Sequence, residues 1–136
     1  MKGSYIAMNY NVLQFLEQQA KRVPHKIALA DEHQSITYAE YQEQAQKIGS
    51  FILKQVGNKR NLPIAVLINR NITSIIAFMG VVYSGNFYVP VDMSMPEDRI
   101  ELIYNKLNPV LIIDARDTDG QTSAAYKIKD ILENRL

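Results

Sequence analysis

Apolar positions along this chain alternate between stripes at three- and four-residue intervals and short continuous runs, which predicts helices and buried strands in turn. Val12, Phe15, Leu16, Ala20 and Val23 form the first stripe, with Asn11 placed as its N-cap and Pro24 as its stop. Ile27 to Ala30 and Ser35 to Thr37, joined by the polar turn Asp31-Glu32-His33-Gln34, predict a small hairpin. Thr37 and Glu40 have capping-box spacing, and Ile36 and Tyr41 flank them as a hydrophobic staple. A helix therefore starts at Tyr38. Tyr41, Ala45, Ile48, Ile52 and Val56 line its buried face as far as Gly57-Asn58.

Pro63 to Ile68 is a continuous apolar run with β-branched residues, as expected of a strand covered on both faces in a parallel sheet. Ile72 to Tyr83 is apolar nearly all round and is followed by Gly85, which predicts a helix packed on more than one side. Phe87-Tyr88-Val89 reads as a short strand entering Pro90, which must end it or lie at a sheet edge. Ser94 and Glu97 have the spacing of a second capping box, with Pro96 in the first turn and Ile100, Ile103, Tyr104 and Leu107 on one face. Val110 to Ile113 predicts another buried strand. Residues 115–136 form a tail, open between a strand at Tyr126-Lys127-Ile128 and a short helix. The order predicts an α/β fold with a mainly parallel sheet flanked by helices, because parallel neighbours need crossover connections.

Composition narrows the functional classes. The 136 residues are a one-domain length, and 15 Lys and Arg against 14 Asp and Glu leave a formal charge of +1, spread along the chain. Nucleic acid is thereby disfavoured as a partner, since phosphate binding needs clustered positive charge. The absence of cysteine excludes disulfides and thiolate chemistry. No apolar stretch approaches the ~20 residues that span a bilayer and no secretory signal is visible, so cytoplasm is the expected location and no membrane partner is expected.

Candidate chemistry fails position by position. Gly80 and Gly85 have phosphate-loop spacing, yet Asn86-Phe87 stands where Lys and Ser or Thr are required, and Gly80 falls inside a helix. His25 and His33 lack the serine-plus-acid company of a triad and read as surface residues. Asp117, Asp119 and Gly120 faintly match a calcium loop, but Ala115 and Tyr126 occupy its first and twelfth ligand positions. Glu97 and Asp98 are adjacent carboxylates in a first helical turn, where the macrodipole favours acids without catalysis. No catalytic, cofactor-binding or metal residue is assigned.

The corner Gly85 to Asp92 carries a resemblance. Tyr83-Ser84-Gly85-Asn86-Phe87-Tyr88-Val89-Pro90-Val91-Asp92 is similar to the Lys-Ala-Gly-x-x-Tyr-Val-Pro-Ile-Asp motif of the adenylate-forming superfamily, specifically of non-ribosomal peptide synthetase adenylation domains and D-alanine–carrier protein ligases. Ile36-Thr37-Tyr38-Ala39-Glu40-Tyr41 resembles the family's Leu-Thr-Tyr-x-Glu-Leu, and Pro96-Glu97-Asp98-Arg99 its Pro-x-x-Arg. Val23-Pro24-His25-Lys26-Ile27-Ala28-Leu29 fits its Pro-x-x-x-Ala-Leu entry segment. Ser84, Asn86, Met93 and Met95 depart from the usual residues.

The resemblance, over roughly residues 10 to 115, implies that residues 1–136 are the first lobe of an adenylation domain. Complete members activate an amino acid with ATP and magnesium and pass it to a carrier protein. Their phosphate loop ending in Pro-Lys-Gly, aromatic-Gly-x-Thr-Glu segment, ribose-binding Asp and C-terminal lysine have no counterpart here. The expectation is a truncated fragment, inactive alone, that uses no cofactor of its own. Its expected partner is the remainder of the domain, and it is expected to self-associate through apolar surface such as the Ile72 to Tyr83 helix. A non-catalytic binding or scaffolding module derived from the same lobe is the alternative. An unrelated flavodoxin-like ligand binder is the third reading, weakened by the missing phosphate loop.

Overall fold

A computed structural model describes residues 2–117 and 125–134, with side chains from residue 12 onward. Helix α1 (Lys2–Arg22) leads into the hairpin β1 (Ile27–Ala30) and β2 (Ser35–Thr37), and then into α2 (Tyr38–Gln55). There follow β3 (Pro63–Leu67), α3 (Ile72–Tyr83), β4 (Phe87–Val91), α4 (Glu97–Leu107), β5 (Leu111–Asp114), β6 (Ala125–Lys127) and α5 (Ile128–Leu132). Strands β3 to β6 form one sheet in the order β4-β3-β5-β6, and every neighbouring pair is parallel. The α/β reading holds, and the tail contains both of the elements between which its sequence was open.

Helices cover both faces of the sheet because successive strand residues point to opposite sides. Ile64, Val66 and Ile113 bury one face against Leu16 of α1, Ile48 and Ile52 of α2, Ile76 and Ala77 of α3 and Ile131 of α5. Ala65, Leu67, Val89 and Val91 bury the other against Ile100, with Ile103 and Tyr104 packed beside it. Helices α3 and α4 thus lie on opposite faces, as they must when the chain moves from β3 to β4 and then back past β3 to β5. Helix α3 is less exposed than expected. Ile72, Ile76, Ala77, Met79 and Val81 are buried and only Ile75 is exposed.

The capping box forms as read. Glu40 N–H donates to Thr37 Oγ1 at 3.2 Å, and Thr37 N–H donates to Glu40 Oε1 at 2.9 Å. The carboxylate of Glu40 is held below its usual pKa by the Thr37 backbone N–H and then by the Thr37 hydroxyl. Thr37→Ala removes one half of this pair and should cost about 1 kcal/mol, read as a lower urea midpoint at unchanged slope.

Two expected helix starts are corrected. Asn11 lies within α1, not at its cap. The segment before it contains no proline, and its one glycine, Gly3, sits at the very start, so nothing breaks the helix there. Ser94 does not cap α4: Pro96 occupies the N-cap without a side-chain bond, while Ser94 N–H and Oγ both donate to Asp92 Oδ1, at 2.9 and 2.8 Å. Asp92 closes its own turn and takes the hydroxyl first.

Pro90 lies inside β4, which is an edge strand as proline requires. Phe87 N–H donates to Leu62 O and Val91 O accepts from Ile68 N–H, so the alternating backbone turns Tyr88 and Pro90 away from β3. The donor that proline lacks is therefore one that would have pointed off the open edge.

Candidate functional site

A doubly wound parallel sheet offers ligands the crevice outside its strands' carboxyl ends, at the point where the strand order reverses. Here that point lies between β3 and β5, at Asn69-Arg70-Asn71 and Ala115-Arg116. The polar groups that line the crevice are bonded to one another. Buried Asn71 donates from Nδ2 to Ala115 O at 3.0 Å, and its Oδ1 accepts Ser74 N–H at 3.0 Å and lies 2.7 Å from Ser74 Oγ. Asn69 N–H donates to Ser74 Oγ at 3.2 Å.

The helix that follows is equally occupied. Asp31 reaches over from the hairpin turn, where its Oδ1 accepts His33 N–H and Gln34 N–H, and its Oδ2 accepts Ile72 N–H at 2.9 Å. The Ile72 N–H, with smaller contributions from His33 and Gln34, holds the Asp31 carboxyl below the ordinary range. Free N–H groups at the start of this helix would be the natural cradle for a phosphate. Asp31 takes the Ile72 N–H and Asn71 the Ser74 N–H instead, so this helix start does not fit the triphosphate of ATP.

Beside the crevice, a cleft of about 520 Å³ includes Asp114, Arg116 and Lys127 among its lining residues. The Asp114 side chain is fully buried; Arg116 Nε and Nη2 donate to its two oxygens at 3.0 Å each, and Lys127 Nζ lies 4.0 Å away. Burial pushes the Asp114 carboxyl up, but the Arg116 side chain, the Arg116 N–H and the Lys127 charge together outweigh it, and the net shift is downward. One buried carboxylate thus meets two cations in a cluster that joins β5 to β6.

The corner carrying the resemblance is built like a joint. Gly85 adopts φ +77°, in the left-handed region that favours glycine. Ser84 and Asn86, the residues that depart from the family pattern, are both buried. Ser84 Oγ donates to Val81 O at 2.6 Å, Asn86 Nδ2 donates to Ser84 Oγ at 3.0 Å, and Asn86 Oδ1 accepts Leu62 N–H at 2.9 Å. The end of α3 is thereby tied to the entry of β3. Tyr88 stacks on Phe78 with ring centroids 4.3 Å apart.

The residues screened from the sequence stay apart. His25 and His33 are exposed, Glu97 and Asp98 lie exposed in the first turn of α4, and Asp117 is exposed, while Asp119 and Gly120 lie outside the described residues. Among the described residues no three His, Cys, Asp or Glu side chains gather to hold a metal. No described helix is long and apolar enough to cross a membrane. Sequence reading missed the partnerships of Asp31, Asn71 and Asp114. Asn71, standing before an apolar run with Ser74 three residues on, carried an N-cap signal that would have found one of them.

The molecule is thus a doubly wound α/β lobe whose expected ligand crevice is lined by polar groups already hydrogen-bonded to one another. The sequence matches the AMP-binding enzyme family over residues 16–135, and the chain belongs to that family. It is 33% identical over 136 residues to the D-alanine--D-alanyl carrier protein ligase of Listeria welshimeri, a match that covers 95% of this chain and 27% of the ligase. A linear gramicidin synthase of Brevibacillus parabrevis is 34% identical over 113 residues, 82% of this chain and 2% of the synthase. The chain therefore spans about a quarter or less of the length of these relatives. The fold is shared with the N-terminal subdomain of NpsA from Klebsiella oxytoca, solved with 3-hydroxybenzoyl-AMSN, at a TM-score of 0.71 and 21% identity over 89% of this chain and 31% of that one. A solved NRPS protein containing adenylation and PCP domains superposes at a TM-score of 0.75 and 19% identity, over 85% of this chain and 20% of that one.

Proposed function

We propose that this chain is the first structural lobe of an amino-acid adenylation domain. In the complete protein it supports ATP- and magnesium-dependent formation of an aminoacyl-adenylate and its transfer to a carrier protein. The observation that carries this reading is the family match over residues 16–135 on a lobe that reproduces the adenylation-domain fold. The lobe's own part is architectural. It supplies a four-stranded sheet with a rigid α3–β4 corner, and the groups that handle ATP and the amino acid come from elsewhere in the domain. Its expected partners are the remainder of that domain and a carrier protein, and its expected location is the cytoplasm.

The isolated chain should give no amino-acid-dependent ATP–pyrophosphate exchange with the proteinogenic amino acids or D-alanine, because the start of α3, at the expected ligand crevice, has its Ile72 and Ser74 N–H groups already taken. Clear exchange by the chain alone would overturn this reading. Reading the coding DNA past Leu136 tests the parentage. An in-frame Ser/Thr/Gly-rich loop ending in Pro-Lys-Gly is expected, whereas an immediate stop codon would favour the non-catalytic module.

A further inference from the structure

We propose that the outward side of α3, with Tyr88 beside it, is the surface on which the rest of an adenylation domain packs. The inference rests on the reading above that this chain is the first lobe of such a domain. Helix α3 carries no charged residue. By contrast α2 faces solvent through Glu43, Lys47, Ser50 and Lys54, as an amphipathic helix at a finished surface does. The outward side of α3 is Ile75, Phe78 and Val82, spaced three and four residues apart, with Ile75 42% exposed and the other two half-buried. Tyr88 of β4, 40% exposed, stacks on Phe78 and carries this apolar surface from the helix to the sheet edge.

A groove of about 310 Å³ lies between Ile75 and Phe78 on one side and Ile68 and Ala30 on the other, and exposed Asn69 and Arg70 give it a polar rim. An apolar centre inside a polar rim is the anatomy of a protein interface. Leu102 of α4 makes the contrast, because its helix neighbours Asp98, Glu101 and Lys106 are charged, and single exposed apolar residues need no partner. The occupant follows from the length of chain that goes with this fold. The shared fold is 31% of the N-terminal subdomain of NpsA, and the remaining polypeptide of a subdomain built this way must bury apolar surface against the lobe to form one unit with it. Both faces of the sheet are already covered by helices. The edge of β4 turns one N–H outward, at Tyr88, because Pro90 has none, so side chains rather than an added strand hold the partner. That partner is an uncharged apolar face from elsewhere in the same domain.

Labelling of the full product of this reading frame by a photo-generated carbene is the test. Ile75 and Tyr88 should take up no more label than core Ile64 and Ile113, both 0% exposed, whereas on an open surface they would take up several-fold more. Ile75→Lys sets a charge in the docked face and should raise labelling of Tyr88 several-fold. Ile64 and Ile113 should stay protected in that variant, which shows that the lobe itself remains folded. A longer product in which Ile75 and Tyr88 label as open surface, or in which Ile75→Lys leaves Tyr88 protected, would overturn the docking and leave the adenylation reading standing. A frame that ends at Leu136 would overturn both. Protection of the same residues in the 136-residue chain, growing with its concentration, would make a second copy the occupant and would overturn the proposal as well.

Discussion

Gly80→Ala is expected to destabilise the protein by about 2 kcal/mol, although glycine-to-alanine changes in helices ordinarily stabilise by about 1 kcal/mol. The reversal comes from how closely α2 and α3 approach. A Cβ on Gly80 would meet Ile48 Cγ2 and would lie 2.6 Å from Ile48 Cβ and 3.2 Å from Ala45 O. On the facing helix, a Cβ on Gly49 would lie 2.9 Å from Tyr83 Cβ and 3.0 Å from Gly80 O. Backbone oxygens and Cβ atoms cannot swing away by changing rotamer, so the helices must separate. Separation loosens a contact that buries Ala45, Ile48, Ile76 and Ala77. Urea unfolding measures the loss, and a Gly80→Ala variant as stable as the parent would contradict it. A double-mutant cycle sharpens the test. Ile48→Ala alone should cost about 2–5 kcal/mol as a core truncation. In the Gly80→Ala background it removes the clashing Cγ2 and should cost at least about 1 kcal/mol less.

The same glycines show what was legible in the sequence and what was not. Gly80 was readable as a residue inside a helix, but its reason for being glycine lies 32 positions back in Ile48, a pairing that no local pattern encodes. Local signals transferred well. Thr37 with Glu40, and Pro90 on an edge strand, are each decided within a few residues, and the structure reproduces them. Ser94 failed for the same local reason seen from the other side, because Asp92 competed for its hydroxyl. The bonding of the crevice's polar groups was the least legible feature. Asp31, Asn71 and Ala115 come from three separate segments, and only the assembled sheet shows that they consume the donors a ligand would need. Missing phosphate-loop residues could be read directly, whereas the partners of these donors could not.

The largest electrostatic effect is expected at Asp114, where Asp114→Asn should cost about 2–3 kcal/mol at neutral pH. Removing one partner of a fully buried ion pair typically costs about 3–5 kcal/mol, because the remaining charge is left uncompensated. Here the acid is buried, but Arg116 and Lys127 retain 15% and 20% side-chain exposure, so water recovers part of the loss. The amide keeps the shape of the carboxyl and one acceptor oxygen but sets an NH2 donor where the other oxygen accepted from Arg116, so the loss combines the charge with a hydrogen bond. Acid titration then fixes the sign. The folded carboxyl titrates below its ordinary value, so the unfolded chain binds its proton first on acidification. The Asp114 contribution is whole above the unfolded pKa of about 3.9 and is lost as the pH falls through the lower folded value. The parent should therefore approach the variant in stability between about pH 5 and about pH 2. Asp31, Glu40 and Asp92 are lowered too, but they are common to both proteins and cancel in the difference. Urea midpoints at about pH 7 and about pH 3 provide the measurement, and a gap as wide in acid as at neutrality would show that the loss is not electrostatic. The loosening should be localised as well. Lys127 ends β6 and begins α5, so amide exchange in α5 should quicken in the variant before exchange in α3, whose start is held by Asp31 and Asn71.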